Sequence, residues 1–159
     1  MTELTIGAKA GIVAGICYGI IAGVLNTITY AVFWDSIDEL IIEGGGPVTL
    51  TLGALIPMIF INAIIGGIIG GILFGLIYAL LYKSLPGSTS VKKGISLALI
   101  FWFILSVLFG YITVFYLGIA FYGVNVLFGF IAACIWGYLL GHFWEKYSVS
   151  KPINTPTVE

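Results

Sequence analysis

The sequence predicts an all-α, polytopic membrane protein with four transmembrane helices, and three observations carry that fold class. First, 60% of the 159 residues are hydrophobic and 8% are charged, whereas a soluble domain carries about 25% charge. So few charges cannot cover a water-facing surface of this size. Second, the apolar residues gather into four stretches, near 10–33, 52–82, 94–117 and 122–144, each long enough for the about 20 residues that span a hydrocarbon core. Third, glycine recurs every fourth residue on several of these stretches, a spacing that places small residues on one helix face.

The first stretch contains "GAKAGIVAGICYGIIAGVLN", with Gly7, Gly11, Gly15, Gly19 and Gly23 in strict four-residue register. It is too long for the apolar region of a signal peptide, and no small-residue cleavage site follows, so it reads as an uncleaved membrane helix. The loop after it carries Asp35, Asp38, Glu39 and Glu43. Ser36 with Glu39 has the spacing of a capping box, and Gly44 is a natural stop. A short outer interfacial helix over 37–43 is therefore expected.

The second stretch is longer than a bilayer needs. Pro57 is expected to mark the start of its regular helix, since proline is tolerated in a first turn; residues 48–56 would be an interfacial lead-in, with one long tilted helix as the alternative. This stretch carries two small-residue stripes, Gly66 with Gly70, and Gly67 with Gly71 and Gly75. Adjacent glycines point about 100° apart, so the helix offers grooves in two directions. "LPGSTSVKKG" follows as a turn whose Ser and Thr can cap the next helix. The third stretch, "IFWFILSVLFGYITVFYL", is bulky and aromatic, with only Ser106 and Gly110 at the small-residue spacing. The fourth carries Gly129, Ala133, Gly137 and Gly141. A tight core of helices one, two and four is expected, with helix three peripheral. Residues 1–147 form one domain, and the polar, proline-bearing tail 148–159 reads as disordered.

Charge sets the orientation. Lys9, Lys83, Lys92, Lys93, Lys146 and Lys151 fall on one side of the four spans, and the acidic loop falls on the other. Lysine excess marks the cytoplasmic face, so both termini are expected inside, in the cell membrane. A faint repeat relates Asn62, Gly66, Gly70, Gly75 and Lys83 to Asn125, Gly129, Ala133, Gly137 and Lys146, and "KAGI" to "KKGI". Two tandem hairpins in parallel orientation would give this pattern.

Lipid is as apolar as leucine, so membrane helices associate by close packing, and small residues let two backbones approach. The stripes are thus docking grooves. They exceed what four short helices need, which points to contacts with copies of the chain or with other membrane subunits.

Reactive groups are sparse. The four spans hold no Asp, Glu, Lys or Arg, which disfavours a proton-coupled pump. His142 sits at the inner interface beside Glu145, with Trp144 and Tyr147 in the same aromatic belt and Trp34 in the outer one; two groups are too few for a closed metal site. Haem would want a buried axial His or Met, whereas Met58 and His142 lie at opposite interfaces. Cys17 and Cys134 read as small apolar fillers. No enzyme constellation, cofactor or metal is expected, and no basic stripe suits a nucleic acid. One polar group stands out in the outer third of the membrane: Asn26, Asn62 and Asn125, with Thr27, Thr29 and Thr113 at similar depth. Amides in lipid need partners. They serve either as interhelical hydrogen-bond glue or as an outward vestibule for a neutral solute. The outer acidic group reads as a solvated topological determinant. The leading expectation is a non-enzymatic packing protein, a homo-oligomer or accessory subunit; the alternative is a small channel or uniporter for a neutral solute.

Overall fold

The computed structural model describes residues 2–44 and 51–149. These residues are helical almost throughout: α1 is Glu3–Val32, α2 Trp34–Glu43, α3 Leu52–Leu81 and α4 Ser90–Trp102. A π-helical stretch, Phe103–Phe109, and a 3-10 turn, Gly110–Thr113, then lead into α5, Val114–Val149. α5 is broken at Gly118, where φ is 80° and ψ is 169°. That backbone region is open essentially only to glycine, and there the chain reverses. α1, α3 and the run Ser90–Val149 are long and apolar enough to cross a membrane. The break divides that run in two, so the described residues hold four helical segments of membrane-crossing length.

Several boundaries differ from the sequence reading, each for a local reason. α1 begins at Glu3 because the Thr2 hydroxyl accepts from the Thr5 N–H at 3.3 Å; Lys9 therefore lies within the helix instead of before it. At 1.5 Å per residue, its 30 residues reach about 45 Å, beyond the about 30 Å of a hydrocarbon core. α2 starts at Trp34 with no side-chain cap. The Ser36–Glu39 capping box does not form, because the chain has already turned helical at that point. α3 starts at Leu52, with the Thr51 hydroxyl accepting from Ala54 N–H at 3.3 Å, and Pro57 sits inside it. The ring costs one hydrogen bond, to the carbonyl of Gly53, near the helix end. The lead-in over 48–56 is thus helical from Leu52 onward, and its first three residues lie outside the described ones. Thr89 caps α4 by accepting from Lys92 N–H at 3.3 Å, so the third span starts before residue 94. Ser148 and Val149 continue α5. The rest of the 148–159 tail, Lys151 included, lies outside the described residues.

The spans pack as two antiparallel pairs, α1 with α3 and α4 with α5, joined along α1 and α5. In the first pair the backbones touch along a glycine seam. A methyl group at Gly7, Gly11 or Gly15 would overlap the carbonyl oxygen of Gly75, Gly71 or Gly67, and at Gly19 it would lie 2.7 Å from that of Ala63. This order differs from the expected core of helices one, two and four. α1 and α5 are central, whereas α3 and α4 both flank them. α3 reaches α4 and α5 through aromatic side chains instead: Phe74 lies 4.4 Å from Phe101 and 5.5 Å from Trp136, and Tyr78 lies 5.2 Å from Trp144.

The closed core occupies the lysine-bearing half. Ala10, Ala14, Tyr78, Leu97, Ala98, Leu140 and Trp144 are buried there. The Tyr78 hydroxyl donates to the Ser90 carbonyl at 2.6 Å, and the Tyr82 and Ser90 hydroxyls lie 2.7 Å apart. Lys93 Nζ donates to the Tyr82 carbonyl at 2.6 Å and sits 4.2 Å from the Tyr82 ring centre. An ammonium held by both a carbonyl and an aromatic face ties the end of α3 to α4.

Candidate functional site

The two helix pairs begin alike and then diverge. Gly94 of α4 meets the Gly137 carbonyl and the Gly141 nitrogen, as Gly11 of α1 meets Gly71 and Gly75. By seam position Gly71 thus answers to Gly137 and Gly75 to Gly141, a register three residues away from the one read from Asn62 and Asn125. The seam of the second pair stops early. Trp102 stands where the first pair has Gly19, and a methyl on Gly129 would meet its ring at 3.3 Å. An indole cannot fit where a glycine seam closes, so the helices separate. Trp102 Nε1 bridges the widened gap by donating to the Val126 carbonyl at 3.0 Å. Immediately afterwards the helix loosens into the π stretch and then tightens into the 3-10 turn. Such π segments recur at functional sites.

The separation opens a cleft of about 390 Å³ in the half away from the lysines, between α1, the third span and α5. Its polar wall combines Asn26 and Tyr30 from α1, Thr113 from the 3-10 turn, and Tyr122 and Asn125 from α5. Three of these groups are partly engaged. Thr113 donates to Gly110 O at 2.8 Å, Tyr122 to Val107 O at 2.9 Å, and Asn125 Nδ2 to Phe121 O at 3.0 Å. Each bond runs to a backbone carbonyl, and it leaves the Thr and Tyr oxygens free to accept and the Asn125 carbonyl unused. Among the described residues no Asp, Glu, Lys, Arg or His lines the cleft.

A second cavity, of about 180 Å³, lies deeper between α3, α4 and α5. Gly66 and Gly70 form one wall, and Phe74, Phe101, Trp102 and Leu105 the others. A methyl on Gly66 would meet nothing within 4 Å. Gly66 and Leu105 are exposed, so this cavity is open on the outer surface of the bundle. Tyr18, Ser106 and Gly129 line both cavities. Below them Tyr18 and Trp136 pack edge to face at 6.4 Å, above the closed core.

The structure sorts the residues singled out from sequence. Asn26, Thr113 and Asn125 share the cleft. Asn62 does not: it is exposed on α3, because the seam turns the Gly67 face, and not the Asn62 face, toward α1. Thr29 is buried but donates to Leu25 O of its own helix at 3.0 Å, and Thr27 likewise binds Gly23 O at 2.8 Å. Gly11, Gly15, Gly19, Gly67, Gly71 and Gly75 line the first seam, with Gly23 packed on the Phe60 ring. Gly137 and Gly141 line the second, and Ala133 is buried beside them. The Gly66–Gly70 stripe meets no helix and faces the deeper cavity. Sequence reasoning missed Tyr18, Tyr30 and Tyr122. Tyr30 follows Asn26 by four residues and Tyr122 precedes Asn125 by three, so each shares a helix face with an amide. That pairing is the signal that could have found Tyr30 and Tyr122; Tyr18 carried none. Among the described residues no three His, Cys, Asp or Glu side chains gather at one point, and the Cys17 and Cys134 thiols are unpaired.

No protein-family model, curated protein or solved structure matches the chain.

Proposed function

We propose that the chain is a non-enzymatic, multi-pass membrane protein that binds a small uncharged solute in the outer cleft. Its lysine-bearing end faces the cytoplasm. The convergence of Asn26, Thr113 and Asn125 from three spans, with Tyr30 and Tyr122, carries this reading. Neutral donors and acceptors without a fixed charge suit a hydroxyl- or amide-bearing solute and disfavour an ion, whose desolvation they would not offset. The closed aromatic core below the cleft favours binding over an open channel. The test uses the chain in lipid nanodiscs with glycerol, urea and acetamide as probes, read by saturation-transfer NMR. At least one probe should bind, and Asn26→Leu with Asn125→Leu should remove that signal. Binding of none, or equal binding by the variant, would overturn the reading.

Packing as an oligomer or accessory subunit keeps one specific support: the Gly66–Gly70 face is unpaired and Asn62 beside it is exposed. The stripe on α1 is already occupied by α3. If α3 docks on a second chain, Gly66→Leu with Gly70→Leu should lower the mass of the native particle extracted with its lipid. An unchanged oligomer would reject this reading.

A further inference from the structure

We infer that the occupant of the cleft is a membrane amphiphile, with an uncharged hydroxyl- or amide-bearing head among the Asn and Tyr groups and an alkyl chain in the deeper cavity. This rests on the solute-binding reading above and names its ligand class. The two cavities share Tyr18, Ser106 and Gly129, so one molecule can occupy both. Their chemistry differs along that path. The outer part offers the Asn26 amide, the Tyr30 hydroxyl and the Asn125 carbonyl. The deeper part offers bare glycine backbone and the aromatic and leucine faces of Phe74, Phe101, Trp102 and Leu105.

Size agrees with chemistry. Along α1 the outer cleft runs from Tyr18 to Tyr30, about 18 Å at the helical rise. Along α3 the deeper cavity runs from Gly66 to Phe74, about 12 Å. An apolar cavity of about 150 Å³ already takes up a benzene-sized molecule, and this one is about 180 Å³. A free polar solute would leave it empty. Its opening, flanked by exposed Gly66 and Leu105 (51% exposed), lies on the bundle surface at membrane depth, where lipid chains are the available apolar matter. The bare backbone at Gly66 and Gly70 keeps that opening wide. The head is uncharged because among the described residues neither cavity carries a charged side chain to pair with a phosphate or an ammonium.

The experiment uses the full chain in nanodiscs and a monoacylglycerol bearing a diazirine on its acyl chain, with an anionic phosphatidylglycerol carrying the same group as the comparison. The monoacylglycerol should label residues around Trp102 and Leu105, and excess unlabelled monoacylglycerol should suppress that labelling. Ser106→Phe, which narrows the junction of the two cavities, should weaken labelling by at least about tenfold, the worth of two buried methylenes. Asn26→Leu should weaken it by about tenfold, one lost hydrogen bond. Gly66→Phe fills the deeper cavity from a position with free space, and it should give the same loss should Ser106→Phe not fold. If glycerol binds the cleft but the monoacylglycerol does not label the deeper cavity, the amphiphile inference fails and the solute reading stands. If neither binds, both fail. Equal labelling by the phosphatidylglycerol also overturns the inference, because the head would then not be selected.

Discussion

Placing a single methyl group on the α1–α3 seam tests whether close backbone approach holds the first helix pair together. In Gly11→Ala the new carbon would overlap the Gly71 carbonyl oxygen, with the carbonyl carbon at 2.8 Å and Gly75 Cα at 3.0 Å. Relief requires α1 and α3 to part by on the order of 1 Å, and such a gap forfeits a quarter to a half of each pair's about 0.1–0.2 kcal/mol. With on the order of 40 close atom pairs at a mean of about 0.15 kcal/mol, spread over the crossings at Gly7, Gly11, Gly15 and Gly19, the loss is about 1.5–3 kcal/mol. That matches the usual cost of overpacking, about 1–3 kcal/mol. Alanine returns up to about 1 kcal/mol of helix propensity, so the net loss is about 1–2 kcal/mol. Gly66→Ala on α3 is the control: its methyl meets nothing within 4 Å, so it keeps only the propensity gain of up to about 1 kcal/mol. The two variants should differ by about 2 kcal/mol, roughly thirtyfold in the unfolding equilibrium. Unfolding in lipid bicelles, followed by tryptophan fluorescence, measures this. Equal stability of Gly11→Ala and Gly66→Ala would refute the seam as the source of stability.

Three further outcomes follow from other parts of the fold. Gly118→Ala should cost about 1–3 kcal/mol through backbone strain alone, because a methyl there meets no neighbour while φ stays at 80°; an unchanged unfolding midpoint would mean the reversal does not need that conformation. Lys93→Met removes both the bond to Tyr82 O and the contact with the Tyr82 ring, and the same unfolding assay should register about 1–2 kcal/mol. For orientation, single cysteines at Leu40 and Thr89, with Cys17 and Cys134 replaced by alanine, should react with an impermeant maleimide from opposite sides of the membrane. Reaction of both from the same side would reject the proposed topology.

The four apolar helical segments were legible without the fold. Apolar run length and charge scarcity are local properties, and they are sufficient to mark four segments long and apolar enough to cross a membrane, because backbone groups in lipid must be satisfied within each helix. Which small residues meet which neighbours depended on the tertiary structure. Gly66 and Gly67 are equally good packing residues on paper; only the rotation of α3 on α1 puts Gly67 in the seam and leaves Gly66 in open space. The same rotation exposes Asn62 while Asn26 and Asn125 share a cleft. Capping and proline rules misplaced the starts of α2 and α3, since an adjoining helix and a cap at Thr51 outweigh Ser36 and Pro57. Asn26, Thr113 and Asn125 were legible as polar groups at one depth, but the steric opening that joins them was not. It exists because one bulky residue, Trp102, interrupts the second seam where the first has Gly19, and a steric mismatch between two helices is not a property of either one alone.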